Sequence, residues 1–171
     1  MSALLRFFFE LARLRRGPQD LPASSALLAL LALLNIVVGT INGSTLFGSV
    51  SASFGANLLD LGLTFLLALA LLQTKGRVAR WLQTVTAFLG LGALAGLIIL
   101  LVRSVAEALG VVELAGLADL VLAIWLHVAL GSVLRHALGI PLLAGVIIML
   151  SYTVIAFNLI ARVFPPVMLN G

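Results

Sequence analysis

Five apolar runs, each about as long as a bilayer's hydrocarbon core is thick, leave this chain few folds to choose from. They lie at about 21–41, 52–73, 81–102, 114–134 and 141–161, and all of the charged residues except Asp60 and Asp119 fall outside them. A membrane-spanning helix takes about 20 apolar residues at ~1.5 Å rise each. In lipid every backbone amide must find its partner inside the protein, which makes helices the form for runs of this length. Only 9% of the residues are charged and 63% are hydrophobic. Soluble domains carry roughly a quarter charged residues, so this chain lacks the polar surface that a water-facing fold needs. The expected fold is all-α, a polytopic transmembrane bundle of five helices with no room for a separate soluble domain.

Residues 1–20 read as an amphipathic interfacial segment ahead of a transmembrane domain at 21–171. Arg6, Glu10 and Arg13 recur at helical spacing, while Leu4, Leu5, Phe7, Phe8, Leu11 and Leu14 cover the remaining surface. Arg15 and Arg16 follow, and Gly17-Pro18 stops the helix because proline lacks an amide donor. Arg6, Arg13, Arg15 and Arg16 are the expected contacts with anionic lipid headgroups, and Phe7-Phe8-Phe9 supplies apolar area to bury in the interface. A cleaved secretory signal is a poor fit, since no small-residue cleavage pattern follows Val38. Asp20 is the expected cap of the first span, with Pro22 in its first turn. The uncharged, Gly- and Ser-rich stretch from Asn42 to Ser53 predicts a turn or a short re-entrant excursion, and Trp81 predicts an interfacial anchor.

Sidedness follows from the basic residues. Arg6, Arg13, Arg15, Arg16, Lys75, Arg77, Arg80 and Arg135 fall on one side of the predicted spans, and Arg103 and Arg162 on the other. Short loops rich in Lys and Arg are retained in the cytoplasm, so this split predicts a cytoplasmic N-terminus and an external C-terminus. There is no internal repeat, and five spans do not divide into two equal inverted halves.

Polar residues within the apolar runs are the candidate functional groups. Ser53, Asn57, Asp60 and Thr64 share one face of the second span. An ionised Asp60 facing lipid would cost several kcal/mol, so it must be paired, wet or protonated. Ser151, Asn158 and Arg162 share a face of the last span, and Gly92, Gly96 and Arg103 a face of the third. The expected intramembrane cluster joins Asp60 to Arg162 or Arg103, with Asn35, Asn57 and Asn158 completing the hydrogen bonds. Two readings stay open: a polar knot that fixes helix packing, or a proton- or cation-binding carboxylate on an aqueous vestibule. His127, near the middle of the fourth span, is either a packed histidine or a proton relay. Gly92 and Gly96 have the spacing that lets helix backbones come close, within the bundle or between copies.

Several function classes lack their signatures. With no cysteine and only His127 and His136, thiol chemistry and a histidine-rich metal site are not expected, nor is any cofactor. The chain has no nucleophile elbow, no phosphate-cradling loop, no metalloprotease helix and no second deep carboxylate, so it reads as a non-enzyme. Its net charge of +4 is assigned to orientation and lipid headgroups rather than to nucleic acid.

Two stretches, Gly17-Pro-Gln-Asp-Leu-Pro22 and Gly131-Ser-Val-Leu-Arg135-His-Ala-Leu-Gly-Ile-Pro141, resemble those of small proteobacterial inner-membrane proteins. Five spans with a cytoplasmic N-terminus are also similar to the Yip1-like family, whose eukaryotic members are membrane-trafficking adaptors rather than enzymes. That likeness is architectural and covers the whole chain. The expected role is a structural or accessory subunit that binds lipids and partner membrane proteins, or a second copy of itself, in a bacterial inner membrane. A small transporter or channel with Asp60 as its proton or cation site is the alternative.

Overall fold

The computed structural model describes residues 2–167, and the expectation for the tail beyond Val167 falls outside them. Among the described residues six α-helices follow one another: α1 Ser2–Ala12, α2 Ser25–Gly43, α3 Val50–Thr74, α4 Trp81–Leu109, α5 Val112–Leu138 and α6 Leu142–Val163. The last five are each long and apolar enough to cross a membrane. Their order around the bundle is α3, α2, α4, α5, α6, with α6 meeting α3 again. α4 is the hub: 50% of its apolar stretch is buried, against 17–28% for the others.

The helix boundaries follow local chemistry. α2 begins at Ser25 rather than near residue 21, because Ser24 caps it by accepting the Leu27 amide at 3.2 Å. Asp20 instead closes the short turn Pro18–Asp20 by accepting the Gly17 amide at 3.3 Å. The stretch after α2 is a turn, and Ser49 caps α3 by accepting the Ala52 amide at 3.1 Å. α4 runs past the expected end at Val102 and takes in Arg103 and Glu107. Gly110, at φ 68°, then ends it in the left-handed conformation that glycine adopts freely. The longer helix is possible because Arg103 has a partner. Its Nη2 and Nε donate to Asp119 Oδ2 on α5 at 2.6 and 3.0 Å, which ties the α4–α5 hairpin near its turn.

Close backbone approach holds the helices together where lipid gives them no hydrophobic reason to associate. A Cβ on Gly96 would lie 2.6 Å from Val38 Cγ1, and one on Gly92 would lie 3.1 Å from the Asn35 amide, so α2 and α4 meet along these glycines. Gly131 of α5 and Gly145 of α6 face each other so closely that a Cβ on Gly145 would strike the Gly131 carbonyl. Trp81 braces two helices: its indole donates to the Phe65 carbonyl of α3 at 3.2 Å, and the Phe65 and Trp81 rings meet edge to face.

α1 forms where the sequence places an amphipathic helix, but protein covers its apolar face. Phe7, Phe8, Leu11 and Ala12 are buried against the bundle, and the Phe8 ring occupies the space beside Gly90 on α4. Gly90 is nine residues, about 13 Å, along α4 from Trp81. The helix therefore lies alongside α4 and α5 rather than beneath their ends. Lipid tails are as apolar as leucine, so hydrophobicity alone cannot choose between lipid and protein. Specific contacts decide it. The Trp125 indole of α5 donates to the Ala12 carbonyl at 3.1 Å, satisfying one of the free acceptors at the C-terminus of α1. The Gln83 amide of α4 donates to the Leu21 carbonyl at 2.8 Å and fixes the segment that follows. On the exposed face Arg6 and Arg16 both pair with Glu10, and Arg16 lies 5.6 Å over the Phe7 ring. Arg13 and Arg15 are exposed.

Candidate functional site

Near their middles the five long helices surround a cavity of about 400 Å³. That is within the range of about 300–1,000 Å³ typical of small-molecule sites. Its wall is mostly apolar, with polar groups from Asn35 on α2, Asn57, Asp60 and Thr64 on α3, His127 on α5, and Tyr152 and Thr153 on α6. The expected sharing of one α3 face by Asn57, Asp60 and Thr64 is what brings all three to this wall. Ser53, one turn before Asn57, is buried and donates to the Thr40 carbonyl at 2.9 Å, locking α3 onto α2.

The partner of Asp60 is Tyr152. The tyrosine hydroxyl donates to Asp60 Oδ1 at 3.1 Å and lies 2.8 Å from Thr64 Oγ1. A phenol has one proton, so with that proton given to the carboxylate the Thr64 hydroxyl donates to the tyrosine. The result is a directed chain from Thr64 through Tyr152 to Asp60, spanning α3 and α6. Among the described residues nothing donates to Asp60 Oδ2.

Arg103 and Arg162 do not join this cluster. Arg103 pairs with Asp119, and its Nη1 lies 3.5 Å from the Asn42 carbonyl. Arg162 is exposed near the end of α6. Asn158 is exposed too, and its amide donates to its own helix at the Val154 carbonyl, 2.7 Å away. The face of α6 marked by Ser151, Asn158 and Arg162 thus points out of the bundle. An asparagine can satisfy itself on the preceding turn of its own helix, whereas a tyrosine hydroxyl stands too far from its own backbone and must find a partner across the interface. Asn35 and Asn57 do reach the cavity. Asn35 donates to the Leu89 carbonyl of α4, and Asn57 to the Ser53 carbonyl at 2.8 Å.

His127 bridges α5 and α6. Its Nδ1 lies 2.8 Å from the Ala123 carbonyl and its Nε2 lies 2.9 Å from Thr153 Oγ1. A carbonyl only accepts, so Nδ1 carries a proton; in the neutral ring Nε2 then accepts from the threonine hydroxyl. No group of three or more metal-ligating side chains occurs among the described residues.

Tyr152 and Thr153 were not singled out in the sequence, although Tyr152 is the only tyrosine in the chain. The signal available was the polar triplet Ser151-Tyr152-Thr153 inside an otherwise apolar run.

The fold and cavity define a helical bundle of the multi-pass membrane type with an acid-bearing central site. Comparison with protein families, with characterised proteins and with solved structures finds no match to this chain.

Proposed function

We propose that this protein is a small membrane carrier that binds a proton or cation at Asp60 in its central cavity. The observation that carries the reading is the position of Asp60, whose carboxylate lines a cavity large enough for a small molecule while Oδ2 has no donor among the described residues. A carboxylate oxygen that borders a cavity rather than a neighbouring helix can take its partner from whatever enters the cavity. Of the Phe7-Phe8-Phe9 triplet expected to bind lipid, Phe7 and Phe8 are turned into the bundle and Phe9 is exposed. The bundle is oriented with Lys75, Arg77, Arg80 and Arg135 in the cytoplasm, where the exposed Arg13, Arg15 and Arg135 meet anionic headgroups. It acts without an enzymatic step.

Proteoliposomes enclosing a pH-sensitive dye test the reading. Addition of Na⁺, K⁺ or an alkylammonium ion outside should drive proton release from wild-type vesicles, and Asp60→Asn should abolish the signal while eluting as a folded protein. Flux that survives Asp60→Asn undiminished sinks the proposal. Sidedness is read separately: the chain has no cysteine, so single cysteines at Lys75 and Glu113 can be labelled without background. The first should react only from the cytoplasmic side and the second only from the other.

A further inference from the structure

We infer that the ion the cavity takes is an amphiphilic organic ammonium, admitted sideways from the lipid through a seam between α5 and α6; this rests on the proposal that Asp60 is a cation site. The composition of the wall carries the first part. A hard inorganic cation gives up its water only for a shell of about six oxygens. The wall's oxygens are spread over α2, α3 and α6 in a lining that is mostly apolar, and the Thr64, Tyr152 and Thr153 hydroxyls are held in bonds to one another and to His127. An organic ammonium asks for less. Its charge needs one carboxylate and aromatic faces, and its carbon body needs apolar surface. Asp60 provides the charge, Tyr152, Phe88 and Phe157 the rings, and Leu126 and Met149 apolar wall.

The second part rests on where the wall is open. Thr153 and Phe157 line the cavity and are also exposed at the outside of the bundle, Phe157 by 44%. α5 and α6 are pressed together at Gly131 and Gly145, and on the same stripe of α5, one and two turns before His127, Ile124 and Leu120 are each 59% exposed. The His127–Thr153 hydrogen bond crosses the seam at the point where the cavity begins. The surfaces flanking it are apolar, so the opening faces lipid rather than water. An amphiphile already partitioned into the bilayer would arrive there with its carbon body desolvated.

The test uses the full chain in lipid nanodiscs with radiolabelled benzyltrimethylammonium as probe, after subtraction of binding to empty discs. Saturable binding is expected, weakened at least about tenfold by Asp60→Asn and largely kept by Asp60→Glu. Thr153→Trp, which plugs the seam without touching Asp60, should slow association by about tenfold or more. Neopentylbenzene, the uncharged carbon isostere of the probe, should fail to displace it, as should Na⁺ or K⁺ in equal excess; these competitions use the unaltered chain and need no variant to fold. Absence of saturable binding, binding indifferent to Asp60→Asn, or displacement by the neutral isostere or by K⁺ overturns the organic-ammonium assignment. Unchanged association in Thr153→Trp overturns the lateral route. Should benzyltrimethylammonium fail to bind while Na⁺ or K⁺ still drives Asp60-dependent proton release, this inference falls and the cation-site reading stands. Loss of both removes the two together.

Discussion

The Asp60–Tyr152–Thr64 chain is the most consequential set of side chains in the bundle, because it fixes a carboxylate at a cavity wall without neutralising it. Removing the central hydroxyl breaks both links at once. Tyr152→Phe should lower stability by about 1–3 kcal/mol, the usual cost of leaving partly buried polar groups unmatched. In a double-mutant cycle, Thr64→Val should cost less in the Tyr152→Phe background than alone, measured by thermal unfolding in micelles. Additive effects would mean that the three residues do not act as a chain. Part of this set could be seen in the sequence: Asn57, Asp60 and Thr64 share a helix face by spacing alone. The partner could not. Ser151, Asn158 and Arg162 make the more polar stripe on α6, yet Asn158 bonds its own preceding turn and gains nothing by facing inward. Counting polar residues on a face misleads when those residues can satisfy themselves.

At the scale of helices, glycines set the contacts and one ion pair sets a length. Gly131→Val should abolish the folded bundle, because Val146 N and Cα already lie 2.7 and 2.9 Å from the new Cβ position. Gly116→Ala is the control. Nothing lies within 4 Å of its Cβ position, so it should raise stability by about 0.5–1 kcal/mol through helix propensity alone. Size-exclusion profiles and melting temperatures of the two variants check both expectations. The Arg103–Asp119 pair is partly exposed, with side-chain exposures of 41% and 26%, which places its value between surface and buried pairs. Asp119→Asn should cost about 1–3 kcal/mol, and Arg103→Leu in the same chain should recover part of the loss, as unfolding in detergent would show. The existence of five long helices was legible because apolar length is additive along the chain. Their ends were less so: α4 exceeds its expected end because Arg103 finds a carboxylate on another helix, which no local pattern reveals.

The whole molecule is a five-helix ring with an additional helix strapped to its side. On the strap's exposed face the Arg6–Glu10–Arg16 cluster ties α1 to the turn that follows it, and the hydrogen bond from Arg6, then the charge of Arg16, holds the Glu10 carboxyl below its ordinary value of 4.5. A carboxylate whose pKa is depressed in the folded state contributes stability that is present above the ordinary value and lost as pH falls through the folded one. The tie between α1 and the turn after it should therefore loosen as pH falls below the ordinary carboxylate value, and Glu10→Gln should remove that dependence. Trp125, bonded to the Ala12 carbonyl, is a built-in fluorescent reporter of the docked state. A Trp125 signal that stays flat as the pH is lowered would mean that Glu10 contributes nothing to holding the end of α1 against Trp125. The amphipathic helix itself was legible from its charge spacing. Its docking was not, because a face made for lipid and a face made for other helices have the same composition, and only Gly90 and Trp125 distinguish them.

The strap has a consequence for biosynthesis. Its seat is built from α4 and α5, which leave the ribosome more than seventy residues after α1 does. Throughout that interval Phe7 and Phe8 have no protein to pack on, so the first helix made must shelter in the lipid interface until the fourth span is inserted. The surface expected to anchor the mature protein in the bilayer then serves as a waiting position, vacated when Trp125 arrives. A single cysteine in place of Phe8, which docking buries, should react with a membrane-permeant thiol reagent in nascent chains arrested before α5 and be shielded in chains arrested after it.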